Sequence, residues 1–306
     1  MSTPPPGVER DYPLARLTTI RTGGPAELFA RAGTFEALER LVAWAADEGL
    51  EVGVVGSGSN LLVADAGVRG LVLKLDKELS KIEIDATRIE CGGGARLPAV
   101  SARAAQAGLT GLEFGVNIPG TVGGAVRMNA NAYGGQLARV LEWVDVVDRN
   151  GTRRREPAQL GFAYRRSNLG DGEVVARASF GLEVAESEAV KATLAEMRAR
   201  RKAAQPSGIK TFGSTFKNPD DSRAQGRTAG QLLEAVGARG LRIGGASFSS
   251  KHANFIVNHG DASTADVVAV MAEGRSRVLD RFGIGLEAEV QTLGPVEIPD
   301  DWGREG

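Results

Sequence analysis

The sequence holds a single cysteine, Cys91, in 306 residues, so no intramolecular disulfide can staple the fold. Two histidines, His252 and His259, cannot complete a Cys/His zinc set with that lone thiol, and no metal is expected. An excess of one charge is missing too. Lys and Arg number 37 against 38 Asp and Glu, a formal net charge of −1 that gives no overall pull towards nucleic acid or an anionic membrane. Any anionic ligand must then be held by local geometry. No apolar run approaches the roughly 18 residues of a membrane span, and the stretch from Met1 to Arg10, with Pro4, Pro5 and Pro6, lacks an apolar core. The expected setting is a reducing cytoplasm, with neither membrane nor nucleic acid as partner.

Glycine is in excess: 41 residues, about twice the usual roughly 7%. They cluster at 56–60, 92–94, 120–124 and 244–245 between ordinary apolar segments, which reads as tight loops on a folded scaffold. Ala26 to Arg31 reads as a strand. Thr34 then caps a helix striped by Leu38, Leu41, Val42 and Ala45 and stopped at Gly49, and Val52 to Val55 resumes a strand. Apolar runs follow at Leu61 to Val63 and Leu71 to Leu75. Leu97 to Ala107 reads as a helix, Leu141 to Asp148 with the turn Asn150-Gly151 as a hairpin, and Val174 to Val184 as a strand. Val190, Leu194 and Met197 stripe a helix ending in Arg198, Arg200, Arg201 and Lys202. Gln205-Pro206-Ser207-Gly208 marks a domain boundary. Beyond it lie helices at Thr228 to Val236 and Ser263 to Phe282, the latter opened by a Ser263/Asp266 capping box, then a strand from Leu286 to Leu293 and a fraying tail from Pro299.

Several segments could carry chemistry. The small residues of Gly56-Ser57-Gly58-Ser59-Asn60 can curl their backbone N–H groups around an anion, although neither a G-x-G-x-x-G nor a Walker pattern is present. A second glycine stretch, Ile118 to Ala125, is followed by Arg127, Asn129 and Asn131. Two such loops suit the diphosphate and flat ring of a dinucleotide, against the alternative of two tight strand connections. Tyr164, Arg165 and Arg166 offer guanidinium groups for a carboxylate or phosphate, or else a solvated face. In Gly213-Ser214-Thr215-Phe216-Lys217-Asn218-Pro219 a serine nucleophile would need a histidine base, and neither histidine stands in a triad context; a hydroxyl that donates a proton to a carbanion is the better reading. Glu287 and Glu289 alternate on the last strand and share a side at i and i+2. Cys91, beside three glycines, reads as a small buried hydrophobe, and His252 as a cleft or structural residue.

In order, Arg21 to Ala26, Gly56 to Leu61, Ile118 to Ala125 with Met128-Asn129-Ala130, Phe162 to Ser167, Gly213 to Pro219 and Leu286 to Val290 resemble the motifs of the UDP-N-acetylenolpyruvoylglucosamine reductase family, over nearly the whole chain from about residue 16 to 294. The resemblance implies an α+β fold: an FAD-binding domain of the vanillyl-alcohol oxidase and PCMH type, two lobes over 16–205, a smaller α/β substrate-binding domain over 206–288, and a final segment, 289–306, returning to the FAD-binding lobes. It implies non-covalent FAD, NADPH as hydride donor, and an enolpyruvyl UDP-sugar as substrate, in a protein expected to be a monomer. Its catalytic positions fall on Arg165, Ser214 and Glu289. Its flavin positions fall on Gly56, Ser57, Gly58, Ser59, Asn60, Leu61, Pro119, Gly120, Thr121, Val122, Gly123, Gly124, Asn129 and Ala130, and its other substrate contacts on Tyr164, Lys217 and Asn218. The short interval between Arg165 and Ser214 resembles the subgroup without a tyrosine-bearing lid, Ala204 stands where some members carry lysine, and Asn117 and Asn131 depart from the family pattern. Rival readings are another flavin oxidase or dehydrogenase on the same fold, and a nucleotide-binding protein without catalysis.

Overall fold

In the computed structural model the described residues are 3–204, 208–299 and 302. Helices and mostly antiparallel sheets are mixed along the chain, an α+β arrangement as expected, and it divides into two units. The larger comprises Met1–Tyr12, Ala26–Ser57 and Arg69–Arg201, the smaller Pro13–Pro25, Gly58–Val68 and Lys202–Gly306.

The larger unit has two cores. One lies between a sheet of order Val8–Pro13, Pro25–Ala32, Val68–Leu75, Val52–Val54 and helix α1, Phe35–Asp47. Thr34 caps α1 as expected, its hydroxyl accepting the Ala37 N–H, and the helix buries Leu38, Leu41, Val42, Trp44 and Ala45 against Leu71, Leu73 and their neighbours. The second core covers an antiparallel sheet of order Gly151–Arg155, Leu141–Asp148, Val174–Gly181, Arg88–Gly92, Ile82–Asp85, packed with α2 (Leu97–Gln106) and α3 (Val122–Arg127). Cys91 is buried there, and burial pushes its thiol up to about 12. Helix α4, Ser187–Ala204, sets Val190 and Leu194 against Ala105 and Val116.

The smaller unit is built on strands Arg242–Ile243, Ala246–Phe248 and Ile256–Asn258, extended by bridges Ser214↔Phe255 and Phe216↔Ala288. Helices α5 (Ala229–Ala235) and α6 (Thr264–Phe282) bury Leu232, Leu233, Val267, Val270 and Met271 in its core. The Ser263/Asp266 capping box of α6 forms as expected, and α5 opens on a second one, Thr228/Gln231.

Four expectations are corrected. Asp148 pairs with Gly151, so the hairpin's loop residues are Arg149 and Asn150; the Asp148 carboxylate accepts the Asn150 N–H at 2.8 Å and draws the turn one residue earlier. The strand expected from Val174 to Val184 changes partner after Gly181, and Glu183–Val184 pairs with Leu109–Thr110 instead. Glu287 and Glu289 precede the last strand, Gln291–Leu293, in an extended segment held by the single bridge at Ala288. Trp302 in the expected frayed tail is buried, its carbonyl accepting the Ala288 N–H at 3.0 Å and its ring 6.3 Å from Phe216.

The units also divide differently from 16–205, 206–288 and 289–306. Segments 13–25 and 58–68 join the smaller unit, and Gln291–Leu293 of the expected returning segment pairs in parallel with Leu61–Val63, a strand of that same smaller unit. Gln205, Pro206 and Ser207 of the expected boundary lie outside the described residues; the division falls between Arg201 and Lys202.

Candidate active site

In the larger unit the two glycine stretches meet. Ser57 Oγ donates to the Pro119 carbonyl at 2.6 Å, and a Cβ on Gly56 would lie 2.4 Å from Thr121 Oγ1, so only glycine allows the approach. Gly120 and Gly124 stand open: an added Cβ would meet only Ile118 or Thr121 side-chain atoms, at 3.8 and 3.6 Å. Thr121, Val122 and Gly123 lie inward, with the Val122 and Gly123 N–H groups donating to Ala95 and Gly93 carbonyls. The result is a small-residue ledge whose backbone a diphosphate can approach, with unfilled space where side chains would stand; these residues fit the phosphate end of FAD.

Sequence reading missed Lys74, which reaches this ledge. Its ammonium donates to the Gly56 carbonyl at 2.5 Å. Burial lowers its pKa, with Arg31 and Arg96 acting in the same sense and Asp76 opposing. A lone lysine inside the apolar run Leu71 to Leu75 was the available signal.

Arg165 lies on a turn of the same unit, at φ +57°, with Nη1 donating to the Asn131 carbonyl at 3.1 Å and its guanidinium 5.3 Å from the centre of the exposed Tyr164 ring. Asn129 is fully buried and spends both ends of its amide on protein backbone, at Ala163 and Ala138; Ala130 is buried and accepts the Leu137 N–H. Asn117 donates to the Met197 carbonyl at 2.7 Å and to the Tyr133 hydroxyl at 3.1 Å, so this departure ties α4 down.

In the smaller unit Ser214 and Glu289 stand on neighbouring extended segments. The Glu289 N–H donates to the Thr215 carbonyl and the Lys217 N–H to the Glu287 carbonyl, both at 2.9 Å. Buried Asn254 locks the serine segment: its carbonyl accepts the Thr215 N–H at 2.8 Å, while its amide accepts the Phe216 N–H at 2.9 Å and donates to the Phe216 carbonyl at 2.8 Å. Asn60 locks the other side, its Nδ2 donating to the Glu289 carbonyl at 3.2 Å and its carbonyl accepting the Gln291 N–H at 3.1 Å. Gly58, at φ +62°, is forced, because a Cβ would lie 2.1 Å from the Leu17 carbonyl. Ser59 follows it, its carbonyl 3.7 Å from where a Cβ on Gly213 would stand, and Leu61 pairs with Gln291. Lys217 forms an ion pair with Glu287 at 3.2 Å, and Asn218 accepts the Ala229 N–H at the start of α5. His252 is packed edge-on against Phe255 and accepts the Asn254 N–H, a structural placement.

A family model described as FAD binding domain matches residues 26–155, and one described as UDP-N-acetylenolpyruvoylglucosamine reductase, C-terminal domain, matches 205–293. UDP-N-acetylenolpyruvoylglucosamine reductase 2 of Symbiobacterium thermophilum is 43% identical over 292 residues, 95% of this chain and 93% of that protein. The chain belongs to the UDP-N-acetylenolpyruvoylglucosamine reductase family. The Sphingopyxis alaskensis reductase is 44% identical over 287 residues, 93% of this chain and 94% of its own. The crystal structure of the reductase MurB from Thermus caldophilus superposes with a TM-score of 0.81 at 38% identity, covering 94% of this chain and 98% of that one.

Proposed function

We propose that the chain reduces the enolpyruvyl double bond of a UDP-N-acetylglucosamine enol ether to the lactyl ether of UDP-N-acetylmuramate, a precursor of peptidoglycan, as a soluble cytoplasmic monomer. Family membership supports the reaction, and the ledge of Ser57, Gly120 and Gly124 supports a bound dinucleotide. FAD held there supplies the hydride chemistry, with NADPH as the source of the electrons. Once hydride has reached the terminal vinyl carbon, the carbon next to the substrate carboxylate carries negative charge. Ser214 delivers the proton to that carbon; a weakly acidic hydroxyl suffices because the carbanion is a strong base and the donor is fixed. Arg165 and Glu289 polarise the carboxylate and the enolate as charge develops, Glu289 protonated or hydrogen-bonded through that role, since two bare carboxylates would repel. The remaining contacts assigned to substrate are Tyr164, Lys217 and Asn218.

The observation that carries the assignment is the pairing of the Ser214 segment with the Glu289 segment, each locked by a buried or half-buried asparagine. The test is rapid anaerobic mixing. Ser214→Ala is expected to leave bleaching of the flavin by NADPH nearly intact and to slow recovery of colour on adding the enolpyruvyl sugar nucleotide by about 10²- to 10⁴-fold. Equal losses in both halves would remove Ser214 from the role, and recovery of the unmodified protein with oxygen alone would favour an oxidase.

A further inference from the structure

Arg165 is the third residue of a four-residue turn, Ala163 to Arg166, closed by the Arg166 N–H on the Ala163 carbonyl at 3.3 Å and by the Ala163 N–H on the Arg166 carbonyl at 3.1 Å. A left-handed φ at that place favours glycine or asparagine, and arginine is disfavoured there. Something outside the turn has to hold it.

The segment 127–131 does so at three levels. Asn129, itself left-handed at φ +39°, donates from Nδ2 to the Ala163 carbonyl at 3.0 Å, the same carbonyl that closes the turn. Its Oδ1 accepts the Ala138 N–H at 3.2 Å, which fixes which end of the amide faces Ala163. Two residues before, the Arg127 carbonyl accepts Ser167 Oγ at 2.8 Å, and the Arg127 guanidinium gathers the Leu169, Gly170 and Glu173 carbonyls at 3.0–3.2 Å. Two residues after, the Asn131 carbonyl receives Arg165 Nη1.

From this geometry we infer that Asn129 is a positioning residue for Arg165, its buried amide fixing the carbonyl on which the arginine turn closes and thereby the direction of the guanidinium. The inference rests on the role given to Arg165 above. It assigns Asn129 to the substrate half of the reaction and not to the flavin. Asn129→Asp keeps the acceptor for Ala138 and removes the donor to Ala163; Asn129→Ala removes both.

Two measurements test this separately. In hydrogen exchange on the holoprotein, the Arg166 amide should lose protection in Asn129→Asp beyond the loss shared by the slowest core amides, since a carboxylate at this buried position also lowers global stability; a loss no greater than that shared one would overturn the inference whatever reaction the protein performs. In anaerobic half-reactions, Asn129→Asp should slow reoxidation by the enolpyruvyl sugar nucleotide by about 10- to 100-fold, with flavin reduction by NADPH within about twofold of wild type. No further loss should appear when it is combined with Arg165→Ala. Released flavin, a slowed first half-reaction, or losses that add to those of Arg165→Ala would each overturn it. Failure of the wild type to be reoxidised by that nucleotide would instead refute the proposed function, leaving the exchange result to decide the turn.

Discussion

Burial holds the His252 imidazole below its usual 6.5, and Arg239 pushes in the same direction. Its Nδ1 accepts the Asn254 N–H at 3.2 Å, which requires that nitrogen to be unprotonated, and Asn254 in turn holds the Ser214 segment. Because the unfolded imidazole binds its proton near 6.5 and the folded one only at lower pH, the unfolded state carries more protons between the two values. Stability from this residue is therefore complete above 6.5 and is lost as the pH falls towards the lowered value. The thermal midpoint of the wild type should drop between about pH 7 and about pH 5, and His252→Asn should flatten that drop; parallel curves would exclude His252 as the source. At this scale the sequence was uneven. Cys91 could be read as a buried hydrophobe because three glycines and apolar strands surround it in the chain. The roles of Asn60 and Asn129 could not, since asparagine after a glycine loop looks the same whether its amide faces a phosphate or a backbone carbonyl.

Helix α6 shows what an element reveals locally and what it withholds. Ser263 and Asp266 lie within four residues, so their capping box was legible, and the structure forms it. A second cap is not local: the Asp65 carboxylate accepts the Thr264 and Ala265 N–H groups at 2.8 and 2.9 Å, and Thr264 Oγ1 donates to the Val63 carbonyl at 2.7 Å. No sequence pattern ties Asp65 to a helix some 200 positions away. Asp65→Ala should lower unfolding stability by about 1–2 kcal/mol, the range for losing a good N-cap, with the urea slope unchanged. A midpoint equal to wild type would show that water replaces the carboxylate at no cost. The hairpin at 148–151 makes the same distinction: Asn-Gly signalled a turn, but the Asp148 side chain chose its register.

For the whole molecule, motif order disclosed an α+β chain with an FAD-binding domain and a carboxy-terminal unit, but not the threading of the amino-terminal segments. Residues 13–25 and 58–68 belong with 202–306, and they contribute Ile20, Leu62 and Ala64 to its core. Asn258 Nδ2 donates to the Ile20 carbonyl at 2.9 Å, Thr19 Oγ1 to the Thr211 carbonyl at 2.5 Å, and Leu61–Val63 supplies the only ladder of Gln291–Leu293 among the described residues. A fragment of residues 202–306 would lack all of these, exposing apolar surface on Phe212 and its neighbours and leaving the start of α6 without Asp65. Each large buried side chain removed costs about 2–5 kcal/mol, and a domain of this size holds only about 5–15 kcal/mol in total. The fragment alone is therefore expected to show no cooperative thermal transition by circular dichroism, and Leu62→Ala in the full chain to lower the transition of the smaller unit. A fragment that melted cooperatively at the midpoint of the intact protein would show that the two threaded segments are passengers and that the core closes without them.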